Sequence, residues 1–193
     1  MLHFPAAKTL PAAPAGSPRI ITWLGSRTVR GVLLTNHVLS GALIGALARR
    51  PAPAFAAGVA SHFALDALPH WGDWGSIRRF LQVAVPDGLI SLTAMGTLAA
   101  LAPAERRPAV LAGMIGAALP DVDKPATLFF GWSPFPWAVD EFHRRIQREA
   151  SGRAHIELLA AGAFGAAALA ALRRPGGARP AAGSAVRPRR PGR

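Results

Sequence analysis

The stretch SHFALDALPHWGD, residues 61–73, sets His62, Asp66, His70 and Asp73 among Phe63, Leu65, Leu68 and Trp71. His62 and Asp66 are four apart, so on a helix they share one face, a turn apart. His70 is four further on. Pro69 bears on whether the helix reaches it, because the residue before a proline avoids helical geometry. Imidazole nitrogens beside carboxylate oxygens suit zinc or another first-row divalent ion. Asp73 would serve as a fourth ligand or orient a histidine. The plainer alternative is a hydrogen-bonded core histidine, with Asp66 and His62 relieving each other's charge.

Further groups of the same kind recur along the chain. His37 lies in TNHVLSG, flanked by Thr35, Asn36 and Ser40. VPDG and LPDVD put proline directly before Asp87 and Asp121, and Asp123 follows two residues later. Pro-Asp also reads as a turn or helix N-cap, the carboxylate accepting backbone N–H groups, and for Asp87 the two readings stand level. Asp121 and Asp123 at the end of a helix can chelate one ion or bridge two. His143 falls in DEFHRRIQRE, the most charged stretch of the middle region. That stretch is either an amphipathic interfacial helix with Phe142 and Ile146 on its apolar side, or a functional segment in which His143 is a ligand or acid/base and Arg144 or Arg145 clamps an anion. His155 and Glu157 open the last apolar block and are weaker candidates, as is His3.

The expected metal ligands are therefore His37, His62, Asp66, His70, Asp121 and Asp123, holding a divalent ion, with zinc the first choice. Asp87 or His143 would move protons, and Arg144 would hold an anionic substrate. An ion so held would lower the pKa of a bound water to about 7 and polarise the scissile phosphoryl or acyl oxygen. The chain has no cysteine, so a thiolate site is excluded. No HExxH, CxxC, nucleophile elbow or phosphate-binding glycine loop is present. The non-enzymatic alternative is a small membrane protein whose His/Asp cluster binds metal structurally or only ties helices together.

Positioning these groups falls to a series of apolar blocks: 31–48, 53–69, 86–103, 109–120 and 155–172, most of them followed by paired arginines and proline that read as helix stops. The first, third and last reach the lower end of the roughly 17–25 residues a spanning helix needs. Small-residue spacings such as Gly41 and Gly45 suit close helix packing in lipid. The alternative is a soluble, alanine-rich bundle. The expected fold is all-α: a small polytopic helical bundle of about four to five hydrophobic helices in the cell membrane, with the bilayer as its partner. Ionisable groups inside such a bundle mark functional sites. Arginine pairs follow most blocks, so positive charge does not orient the chain.

The net charge of +12 would suit a nucleic-acid binder, but its distribution argues against one. Residues 1–30 carry Lys8, Arg19, Arg27 and Arg30, and residues 173–193 carry seven arginines, neither segment with an acid. Residues 31–172 are nearly neutral. The basic segments are rich in proline, alanine and glycine and are expected to be disordered, and to touch anionic headgroups at most. They hold no aromatics among the tail arginines to stack bases, so no specific nucleic-acid binding is expected. The first segment makes a poor signal peptide, and a later start near Val29 or Val32 is one reading of it. Residues 31–172 form the expected domain.

The order of TNHVLSGALIGAL, GVASHFALDALPH, GAALPDVDK and FHRRIQRE resembles the YdjM-like inner-membrane proteins, described as membrane-bound metal-dependent hydrolases. The resemblance covers about residues 32–172. His37, Pro120-Asp121-Val122-Asp123 and His143-Arg144 match the family's early His, Pro-Asp-x-Asp and His-Arg. Its Thr-His-Ser element is absent, with Ala154-His155-Ile156 a distant echo. The run from His62 to His70 is also similar, more weakly, to the ligand helix of the zinc-dependent phospholipase C and P1 nuclease group. Together these resemblances imply metal-assisted hydrolysis of a phosphoester or lipid-like substrate.

Overall fold

The computed structural model describes residues 33–72 and 75–174. Asp73, the expected disordered segment 1–30, the reading of a start near Val29 or Val32, and all but the first two residues of the basic tail lie outside them.

The described chain is mostly helical. Helix α1 spans Leu34–Ala48 and α2 spans Pro51–Asp66; a two-residue strand, β1, follows at Pro69–His70. Helix α3 is Ile77–Leu101, α4 is Arg107–Ala118, and a 3-10 turn at Leu119–Val122 leads into α5, Asp123–Phe130. Helix α6 is Trp137–Ile146, β2 is Arg148–Glu149 and α7 is Ala154–Arg173. Proline in the first turns of α2 and α4 fits there because those N–H groups have no partner within the helix. Ser76 caps α3, its hydroxyl accepting from the Arg79 amide at 3.3 Å. This helix therefore begins well before Pro86, which sits inside it and only removes one hydrogen bond of the ladder.

Helix α4 is the centre of the bundle, packed on both α1 and α2, while α7 and α3 lean on α1. Val38, Ala42, Val110, Met114 and Ala168 are fully buried where these helices meet. Backbones approach closely because glycines face each other. A Cβ on Gly41 would run into the Gly113 carbonyl, and one on Gly116 into the Phe55 carbonyl. This contact brings α1 and α2 onto the same end of α4, where Leu119–Val122 turns.

Two small devices finish the frame. Leu33 offers α1 no side-chain cap, and Asp87 of α3 supplies one across the bundle. Its carboxylate accepts from the Leu34 amide at 2.6 Å, the Thr35 amide at 3.3 Å and the Thr35 hydroxyl at 2.5 Å. The strands pair in parallel, Pro69 opposite Arg148 and His70 opposite Glu149, and the Ala150 amide donates to the His70 carbonyl at 2.8 Å. That short ladder clips the chain just after α2 to the chain just after α6.

Among the described residues, α3 with 25 residues and α7 with 20 are the helices long and apolar enough to cross a bilayer. At about 1.5 Å per residue, the 15-, 16- and 12-residue helices α1, α2 and α4 fall short of a hydrocarbon core about 30 Å thick. The expected all-α bundle is observed, and of its about four to five expected hydrophobic helices these two have the length to span. The shorter three are the ones that converge on the buried polar groups.

Candidate metal centre

The end of the bundle where α1, α2, α4 and α6 meet holds a buried group of histidines and carboxylates. His62, Asp66, Asp121 and His143 each offer one ligand atom, and these atoms all lie within 4.8 Å of one another. Helix spacing explains the first pair: His62 and Asp66 stand a turn apart on α2, Nε2 to Oδ2 at 3.3 Å. The 3-10 turn after α4 brings Asp121, whose Oδ1 is 3.7 Å from the Nε2 atoms of both His62 and His143. Helix α6 contributes His143, with Nε2 2.7 Å from Asp66 Oδ2 and 3.0 Å from His62 Nε2. His37 of α1 stacks on His62, ring centroids 4.0 Å apart and 25° from parallel.

The geometry tests directly for a bound ion. His37 Nε2 is 3.2 Å from Asp66 Oδ1, yet both atoms are buried without a hydrogen-bond partner. Leaving buried polar atoms unpaired is costly, and a cation between them would satisfy both. Two donors about 2 Å from one tetrahedral ion lie about 3.3 Å apart; the closer separations here run from 2.7 to 3.7 Å, and all lie within 4.8 Å. The Ala117 carbonyl can only accept, so the His62 Nδ1 at 2.7 Å carries a proton and Nε2 is the ring atom left to ligate an ion. A carbonyl behind a histidine in this way is the usual device for fixing a ligand tautomer. The residues present fit a divalent cation.

Electrostatics around the turn are shared. Burial pushes the Asp121 carboxyl up, but the charges of Lys124 and His62 outweigh it and hold the group below its ordinary range. Lys124 Nζ pairs with Asp121 Oδ1. Asp123 moves the other way, raised by burial and, despite Lys124, by its neighbour Asp121. Its Oδ2 lies 3.9 Å from His143 Nδ1 and its Oδ1 is buried without a partner.

The expected site residues fall into two sets. His37, His62, Asp66 and Asp121 come together, with Asp123 behind His143. His143, expected as a ligand or an acid/base, stands among the same atoms. The other set lies elsewhere. Helix α2 stops at Asp66, so His70 leaves the shared face and enters β1, its Nδ1 bonded to the Leu68 carbonyl at 2.8 Å. Asp87 is engaged by the start of α1. Arg144 is exposed and bonded twice to Glu141, at 2.9 and 2.7 Å; with Arg145 it holds that carboxyl down at about 2.

Two participants were not anticipated. Lys124 is one. The other is Gln147, whose amide nitrogen lies 3.2 Å from Asp66 Oδ2 and 3.3 Å from His143 Nε2. Its i+4 spacing from His143 was the available signal. Glu157, a weaker candidate, is buried apart from the cluster, accepting from Asn36 Nδ2 and from the Trp71 amide.

No protein-family model, curated protein or solved structure matches the chain. Any function must therefore be argued from the site itself.

Proposed function

We propose that this chain is a membrane-bound, metal-dependent hydrolase acting on a phosphoester or lipid-like substrate, with zinc the first-choice ion. The observation that carries the reading is the convergence of His37, His62, Asp66, Asp121 and His143, with His37 Nε2 and Asp66 Oδ1 buried and unpartnered. Bound there, a divalent ion would act as a Lewis acid and raise the acidity of water. The chain's own groups would do the rest. Ala117 fixes the His62 tautomer. Asp123, close to His143 and with one oxygen unpartnered, is suited to accept a proton from attacking water. Packing of α1, α2 and α4 excludes bulk solvent from the far side of the site.

The membrane part rests on α3 and α7. Most of each apolar window lies at the surface, where a core helix of a soluble protein would be covered. Leu89, Ile90 and Leu92 on α3, and Leu158 and Leu159 on α7, are all exposed. Multi-pass insertion in the cell membrane follows if both helices span. The resemblance to YdjM-like proteins supports the same reading.

A non-enzymatic cluster has one observation in its favour. His143 and Gln147 already bond Asp66 across α2 and α6, a tie that needs no ion. Metal analysis of detergent-purified full-length protein, followed by phosphoesterase and lipase assays with and without chelator, separates the readings. Stoichiometric metal with chelator-sensitive hydrolysis is expected. Protein that neither retains nor takes up metal would sink the enzyme reading.

A further inference from the structure

The site has one open side. Side-chain exposure is 0% at His37, His62 and Asp66 and 4% at His143, but rises to 11% at Asp121, 17% at Lys124 and 22% at Asp123. A substrate must therefore approach over the turn that carries residues 121–124. Lys124 is the cation on that side. Its Nζ pairs with Asp121 Oδ1 at the edge of the donor cluster. The arginines the sequence offered for this role are tied to Glu141 on the solvent face of α6.

Exposed aromatic residues follow that turn in the chain. Phe129 and Phe130 end α5, and Trp132, Trp137 and Phe142 follow, all exposed. Aromatic side chains of this kind favour the headgroup level of a bilayer.

We infer that Lys124 binds the anionic phosphoryl group of the substrate, so that the substrate class of this site is a phosphate ester entering over the turn at residues 121–124. The inference rests on the hydrolase reading above. An ion ligated by Asp121 takes up the charge that Lys124 otherwise neutralises. The ammonium, on a flexible four-carbon stem with three donors, then becomes available to a non-bridging phosphate oxygen. A neutral carboxylic ester would have no use for a second, desolvated cation at the entrance.

The test uses the full chain in detergent, loaded with zinc, titrated with inorganic phosphate by calorimetry. Lys124→Met is expected to retain wild-type metal content and to bind phosphate at least tenfold more weakly, while Lys124→Arg stays within about threefold of wild type. Lys124→Gln serves in the same comparison if the methionine variant does not fold. Unchanged phosphate affinity in the neutral variants, or no phosphate binding by metal-loaded wild type, overturns the inference and leaves a carboxylic-ester hydrolase standing. Failure to load metal overturns the hydrolase reading as well, so the two failures are distinguishable. Glycerol 3-phosphate and dihexanoyl phosphatidate then compete against phosphate. Displacement by either supports the inference and identifies a soluble or a lipid source, and displacement by neither overturns it.

Discussion

His62 and His143, 81 residues apart in the chain, face each other Nε2 to Nε2 at 3.0 Å. At most one of those nitrogens can donate to the other. Because Ala117 holds a proton on His62 Nδ1, the His62 Nε2 is the atom turned toward His143 and Asp66. With Asp121 these groups form a cluster of donor atoms within 4.8 Å of one another that could hold a metal ion. The first prediction follows. His62→Ala and His143→Ala should each lower zinc affinity at least about 100-fold, more than the 10–100-fold typical of losing an outer partner. Competition with a chromophoric chelator measures it. Wild-type affinity in both variants would mean that the cluster is not a metal site.

Metal loading should depend steeply on pH, with a definite sign. Each ligating imidazole must be neutral, and protons compete below its pKa, ordinarily about 6.5. Asp121 is held below the usual carboxylate range, so it stays ionised through this window and the histidines set the limit. Zinc affinity should fall by roughly tenfold per pH unit for each histidine that must lose its proton, first at His62, where burial is outweighed by Asp66 and Asp121 and the pKa is raised, and last at His37, where burial lowers it. Zinc retained after dialysis at stepped pH reads this out; a flat profile would exclude histidine ligation.

Asp87 tests the distinction between chemistry and scaffolding. Its carboxylate caps α1, the helix that carries His37, rather than reaching for the donor cluster. Asp87→Ala should cost about 1–2 kcal/mol of stability, as loss of a helix cap does, and the folded fraction should keep its metal. Thermal unfolding paired with metal analysis checks both halves. Unchanged stability with lost hydrolysis would instead restore Asp87 to a proton-transfer role.

The parts of the site readable from sequence were those set by local periodicity. The i, i+4 spacing of His62 and Asp66 survives because a continuous helix imposes it. The Pro-Asp-x-Asp at 120–123 survives because proline ends α4 and forces a turn. Asp87 was ambiguous for a physical reason: a cap on another helix leaves no mark in its own neighbourhood. The sequence left His143 open between ligand and acid/base, because its neighbours across the bundle are set by contacts such as Phe63 with Phe142 and by the pairing of Pro69–His70 with Arg148–Glu149. Lys124 and Gln147 carried no motif, and their roles come from burial beside the cluster. Apolar composition alone does not separate a short, glycine-packed inner helix from one long enough to cross a bilayer, and among the described residues α3 and α7 have that length.

The glycine contacts give the sharpest test of how the fold builds the site. Gly113→Ala would drive a methyl group into the Gly41 carbonyl, and Gly116→Ala into the Phe55 carbonyl, with backbone and not side chain in the way. Overpacking of this kind costs about 1–3 kcal/mol. Here it should also part α1 or α2 from α4 and weaken metal binding, since His37 and His62 ride on those helices. Gly96→Ala, on the open face of α3 with nothing within 4 Å of the new methyl, should instead be neutral or stabilise by up to about 1 kcal/mol through helix propensity. Parallel measurement of melting temperature and zinc affinity for the three variants distinguishes the cases. If Gly113→Ala and Gly116→Ala melt and bind metal like Gly96→Ala, close backbone packing is not what brings the histidines together.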